Sequence, residues 1–204
     1  MTRRSNDDLR LGAAVVELLI PHRRPFLMVD GVERFRREEP VRIEAYRHVS
    51  MSEPCFAGHF PEMPLWPGAL TMEGLGQTSA LLLALKTLCD LARQDGEDPD
   101  RALGWLRNLD RGYRMHPGYR PESLPPLLDR LGARGGTIGI GAAVQMKFLR
   151  PVLPGCQICY AVEITADLGD RIRFSAEAVV EGVSVAKGTI TGAVVSAPDV
   201  ASGL

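Results

Sequence analysis

No apolar run in this 204-residue sequence approaches the roughly 18 residues needed to cross a membrane. Leu11–Ile20 is apolar but short and contains Glu17, so it reads as a helix stopped by Pro21 rather than as a signal sequence. The charged start, MTRRSNDDLR, reads as a loose tail over residues 1–10, and the expected compartment is the cytoplasm. Neither sign of charge dominates: 24 Lys and Arg stand against 25 Asp and Glu, a formal net charge of −1. A nucleic-acid binder would carry a basic surplus, so neither nucleic acid nor membrane is an expected partner. Internal repeats and low-complexity tracts are missing. Cysteine is sparse, at four residues, of which Cys156 and Cys159 form a C-x-x-C. That stretch reads as a strand, where residues three apart face opposite sides, and no second pair supplies further ligands. No metal and no cofactor is expected.

What is present is the balance of a soluble globular domain, 45% hydrophobic and 24% charged residues. Phe26–Arg37 and Val41–Met51 read as strands joined by a turn at Glu38, Glu39 and Pro40. Gly68–Ala92 is apolar all round and rich in small residues, which predicts a buried helix. The last third alternates with period two: Ile158, Tyr160, Val162 and Ile164 share one face, as do Ile172, Phe174, Ala176, Ala178 and Val180. Val183–Val195 continues as a last strand. Strands, one long helix, then hairpin-linked strands predict an α+β fold with a single antiparallel sheet around that helix. Residues 11–204 form one domain in this reading. Residues 94–136 are irregular apart from a short helix at Leu124–Leu131, and too long for a plain connection. Trp105, Tyr113 and Tyr119 would suit a cap over a pocket; surface decoration or extra subunit contact is the alternative.

The chemistry concentrates between Gly58 and Gln77. His59 lies in a loop stiffened by Pro61, Pro64 and Pro67, and rigid placement is what a catalytic base needs. Pro67-Gly68 opens the helix, whose first amides are free to hold a developing negative charge. Glu73 is the one acidic residue between Glu62 and Asp90. A base, an acid and a helix N-terminus are the parts required to eliminate water from a 3-hydroxyacyl thioester. The same residues also admit a plain reading, a structural loop histidine and a glutamate hydrogen-bonded to Gln77.

Three ordered blocks carry a resemblance. They are Leu19–Asp30 (LIPHRRPFLMVD), Gly58–Gln77 (GHFPEMPLWPGALTMEGLGQ) and Met146–Gly155 (MKFLRPVLPG). They are similar to the L-P-H-R-x-P-F-L-x-V-D, G-H-F-P…P-G…E…Q and K-F-x-R-P-V-x-P-G patterns of the bacterial (3R)-hydroxyacyl-[acyl-carrier-protein] dehydratases, the FabZ type and its FabA cousin. The 14-residue spacing from His59 to Glu73 also matches. Glutamate at 73 favours the FabZ type, since the FabA type carries aspartate there.

The resemblance implies a hotdog fold and a homodimer, or an assembly of dimers, with active sites at the interface. Each site would take His59 from one subunit and Glu73 from the other. Gly68 would give its N–H to the thioester carbonyl, and the Leu65 carbonyl would orient the imidazole. Acyl carrier protein is the implied partner, with Arg23, Arg24, Lys147, Arg150 and the arginines of 94–136 as docking candidates. His22 and Arg23 read as structural or as lying near the carrier-protein surface, and His48 and His116 as surface residues. Three departures stand out: Glu62 after H-F-P, Leu65-Trp66 before the second P-G, and an insertion over 94–136. They point to a specialised polyketide or polyene pathway beside ordinary fatty acid synthesis. Rival functions are a hotdog thioesterase, an enoyl thioester hydratase, and a non-catalytic subunit shaping a tunnel for an active paralogue.

Overall fold

The computed structural model describes residues 7–131 and 137–196. Its elements run β1 (Asp8–Gly12), α1 (Ala13–Leu19), β2 (Gly31–Arg36), β3 (Arg42–His48), α2 (Gly68–Gln94), α3 (Pro99–Met115), α4 (Pro126–Asp129), β4 (Thr137–Phe148), β5 (Gln157–Asp167), β6 (Arg171–Val180) and β7 (Val183–Ser196). The strands make one antiparallel sheet in the order β1-β2-β3-β5-β6-β7-β4, so β4 is an open edge. The sheet wraps α2, the hotdog arrangement expected from the sequence. No helix among the described residues is long and apolar enough to cross a membrane.

The core forms where the period-two faces meet the helix. Ile158, Tyr160 and Val162 of β5 and Phe174, Ala176 and Ala178 of β6 are buried against Leu75, Leu81, Leu82 and Leu85 of α2. Fully burying each large apolar side chain contributes about 1.5–3 kcal/mol. The helix crosses β5 at Gly74, where a β-carbon would come within 2.3 Å of the Tyr160 hydroxyl. Glycine is required there for close approach, and that contact fixes which face of α2 looks outward.

Several boundaries differ from the sequence reading. Part of the expected N-terminal tail is a strand: Asp8–Gly12 pairs with β2 and buries Leu9 and Leu11. The helix expected from Leu11 begins at Ala13, because Leu11 is still paired with Val32. β2 begins at Gly31 rather than Phe26. The backbone before it turns to a side chain instead: Phe26 C=O accepts from Gln77 Nε2 at 2.8 Å, and Met28 N–H donates to Gln77 Oε1 at 2.7 Å. β4 ends at Phe148, so the rest of the Met146–Gly155 block leaves the sheet ahead of Pro151 and Pro154.

The largest difference lies in 94–136, where α3 is a 17-residue amphipathic helix. Asp98 caps it by accepting from Asp100 N–H at 2.9 Å, and Pro99 occupies its first turn. Leu103, Leu106 and Leu109 enter the main core, so α3 is part of the domain's interior rather than decoration. α4 is shorter than the helix expected over Leu124–Leu131.

Asp110 of α3 is 1% exposed. It accepts Gly12 N–H at 2.7 Å and pairs with Arg114 one turn on. Asp110→Ala should strip the Gly12 amide of its charged acceptor and cost roughly 1.5–3 kcal/mol. A urea midpoint lowered by that amount, and largely restored in Asp110→Asn, is the expected result. An unchanged midpoint in the alanine variant would show that the tie is dispensable.

Candidate active site

The loop between β3 and α2 is built by its own backbone. Cys55 C=O accepts Gly58 N–H at 3.2 Å and His59 N–H at 2.9 Å, and Leu65 N–H donates to His59 C=O at 3.0 Å. Trp66 is buried, with its N–H bonded to Val152 C=O at 2.8 Å, which pins the loop to the strap after β4. Beneath it, buried Arg47 bonds Asp30 at 3.0 Å, pairs with Glu53, and lies 5.8 Å above the Trp66 ring. This arrangement explains one departure from the family pattern: Trp66 packs inward and does not approach Glu73's surroundings. Glu62 is exposed.

On this frame His59 Nδ1 lies 2.8 Å from Leu65 C=O. A carbonyl can only accept, so Nδ1 carries the hydrogen, and in the neutral ring this leaves the lone pair on Nε2. The ring stacks on Phe60 at 4.5 Å between centroids. Just beyond, α2 begins at Gly68, and its first bonds run from Leu70 and Thr71 N–H to Pro67 C=O. Gly68 N–H and Ala69 N–H precede them and remain free for an incoming acceptor. A β-carbon on Gly68 would meet the Phe148 ring at 2.8 Å, so only glycine lets that strand residue lie over the helix start. Gly68, Phe148 and Arg150 line a cleft of about 570 Å³.

Glu73 stands elsewhere on the same helix. Gln77, 1% exposed, has every polar function engaged: Oε1 with Met28 N–H, Nε2 with Phe26 C=O and with Glu73 Oε1 at 2.9 Å. The glutamate is therefore held by a fully satisfied buried amide, more than the plain i,i+4 contact read from the sequence. His22 joins them, its Nε2 3.8 Å from Glu73 Oε1. Glu73, Gln77 and His22 sit on the wall of a cavity of about 360 Å³, otherwise lined mainly by apolar residues of α2 and the β4–β7 side of the sheet. Gly141 and Val144 of β4 both face it because a register shift at Gly141/Ala143 brings residues three apart to one side.

Among the described residues, then, one chain brings together His59, Leu65 and Gly68, and separately Glu73, Gln77 and His22. No hydrogen bond or ion pair joins His59 to Glu73, and His59 does not line the Glu73 cavity. His48 bonds Asp30 through its N–H at 2.7 Å, and His116 ends α3; neither reaches either group. The four thiols are free, and burial pushes Cys89 up to about 11. Among the described residues of this segment, 94–131, none lines the cavity. The aromatic groups Trp105, Tyr113 and Tyr119 pack on the core instead, which removes the support for a cap.

Comparison with known proteins places this geometry in a family. The FabA-like domain matches residues 20–98. The 3-hydroxyacyl-[acyl-carrier-protein] dehydratase FabZ of an Anaeromyxobacter species is 33% identical over 172 residues, 84% of this chain and 82% of that protein. The chain belongs to the FabZ family. Its Thermotoga petrophila member is 52% identical over 96 residues, covering 47% of this chain and 67% of that one. Among solved structures, the dehydratase heterocomplex ApeI:P of Xenorhabdus doucetiae superposes with a TM-score of 0.57 at 11% identity, covering 92% of this chain and 95% of that one. At that identity the likeness speaks for the hotdog fold alone.

Proposed function

We propose that this chain removes water from a (3R)-3-hydroxyacyl thioester carried on acyl carrier protein, giving the trans-2-enoyl thioester, in cytoplasmic fatty acid synthesis. The observation that carries this reading is the His59 ring, held through Nδ1 so that Nε2 is a fixed base beside free helix amides. Nε2 takes a proton from C2. Gly68 N–H receives the thioester oxygen as charge builds on it. Glu73, steadied by Gln77, gives its proton to the departing hydroxyl.

A second copy completes the site in this proposal. The open β4 edge and its surroundings expose Val144, Phe148, Leu149 and Leu153, and the His59 loop exposes Phe60 and Met63. Apolar groups around an unpaired strand are what a partner subunit covers. Isologous pairing would place His59 of one protomer against Glu73 of the other. Arg150, which lines the cleft, and exposed Lys147 are the carrier's docking candidates, whereas Arg24 is engaged by Asp30 at 2.5 Å.

The cavity wall favours a hydrocarbon chain. Its polar side chains are His22, Glu73, Gln77 and Ser79, the first three clustered where chemistry would occur. An oxygenated polyketide chain would find no further polar partner among them. The test is turnover of 3-hydroxyacyl carrier proteins of graded length, following enoyl thioester formation. Release of free thiol without enoyl product would establish a thioesterase instead. Gly141 offers a finer probe, since a β-carbon there meets nothing within 4 Å. Gly141→Leu should fill the cavity and lower kcat/KM for long chains at least about tenfold relative to short ones. An unchanged length profile would place the acyl chain elsewhere.

A further inference from the structure

His22 has no part in the dehydration scheme above. Its place in the structure is unusual for a structural residue. Nε2 lies 3.8 Å from Glu73 Oε1, and the two side chains keep 29% and 31% of their exposure. Nδ1 is buried with no hydrogen-bond partner. A histidine kept for structure would normally satisfy that atom. Protons therefore enter and leave this ring at Nε2, the atom that faces both Glu73 and the cavity. The ring is held in place by stacking on Phe26 at 6.1 Å, and Arg23 beside it bonds the carbonyls of Ile20 and His22.

The dehydration scheme, on which this inference rests, leaves a difficulty at Glu73. Each turnover removes its proton. One side of the carboxyl is held by Gln77, an amide that cannot supply a proton, and the titratable group beside it is His22, 3.8 Å away. We propose that His22 reloads Glu73: the neutral ring takes a proton from solvent at Nε2, the Nε2–H bond of the imidazolium so formed then breaks, and an O–H bond forms on the Glu73 carboxylate, returning the ring to its neutral form. No other reactant is needed, because the proton delivered to solvent from His59 balances the one taken up. The charged groups facing the ring are Glu73 and Arg23. Burial lowers its pKa from the ordinary imidazole value, the Glu73 charge raises it, and Arg23 lowers it, with a net downward shift. At neutral pH the ring is thus neutral at rest and charges only in passing, as a relay requires. His22 acts through Glu73 and not on substrate.

The experiment compares first and later turnovers of the full-length protein. In His22→Gln and His22→Ala, a first turnover started by a jump from acid pH, which loads Glu73 with its proton, should keep its wild-type rate. Steady-state kcat should fall roughly 100-fold, with KM little changed, and added imidazole should restore kcat in the alanine variant. First and later turnovers falling together would overturn the relay and make His22 a packing residue. Neither falling would also overturn it. Dimer content and melting temperature of both variants show whether either is misfolded, and the milder glutamine change keeps the test usable if alanine is not tolerated. Independently of activity, Glu73→Gln should move the His22 ring titration to lower pH, since the charge that raises it is gone. An unmoved titration would rule out the contact. If the wild-type protein dehydrates no 3-hydroxyacyl chain, the underlying reaction is at fault; if it does and the variants show no split, the relay alone fails.

Discussion

Replacing His59 by alanine is expected to lower dehydration by roughly 10³-fold or more while leaving fold and subunit pairing intact. The ring makes one polar contact within its chain, Nδ1 to Leu65 C=O, and stacks on Phe60. The loop itself is held by backbone bonds from Cys55, by Leu65 N–H and by Trp66, none of which involves the imidazole. Stability should therefore change little, whereas a reaction that starts by removing the C2 proton loses its base. Steady-state assay alongside thermal melting separates the two effects. Near-normal turnover in this variant would dismiss His59 as the base. His59→Gln refines the point, because its amide can still donate to Leu65 C=O but cannot take a proton at neutral pH.

Equally large is the loss expected in Glu73→Gln, roughly 10²–10⁴-fold. An amide at 73 can still accept from Gln77, so the loss would report on chemistry rather than on packing. The two dead variants together provide the more telling measurement. If each site takes His59 from one protomer and Glu73 from the other, a mixed dimer has one doubly defective site and one intact site. Equal mixing after subunit exchange should then return about one quarter of wild-type turnover. No recovery, with exchange verified by mass, would place both residues in the same protomer's site. That outcome would conflict with the separation seen within one chain, where His59 accompanies Leu65 and Gly68 while Glu73 accompanies Gln77 and His22.

The sheet and central helix could be read directly because their signals are periodic. Ile158, Tyr160 and Val162, then Phe174, Ala176 and Ala178, alternate in sequence as they do in burial. α2 is apolar enough to declare itself and extends only to Gln94. β1 was hidden because its two buried residues, Leu9 and Leu11, sit among charges and run directly into a helical pattern. α3 was hidden behind Asp98-Pro99, which looks like loop punctuation but serves as cap and first turn. The leucines at 103, 106 and 109 held the helical spacing that would have exposed it. His59 and Glu73 were legible because prolines and an apolar helix isolate them. His22 was not, since its approach to Glu73 crosses 51 residues and depends on how the segment before β2 docks on Gln77. The bulge that turns both Gly141 and Val144 toward the cavity likewise follows from pairing with β7, which no local pattern announces.

The bond from Gly12 N–H to Asp110 spans 98 positions. During synthesis β1 can find β2 almost at once, through Leu11 and Val32. The corner where β1 turns into α1 must wait for α3 to leave the ribosome. Until then Leu9, Leu11, Val15 and Val16 lack part of their cover, and the nascent chain carries an apolar surface. The inserted helix thus sets when the first-made part of this domain can settle, a role in timing for a segment that contributes nothing to the cavity wall.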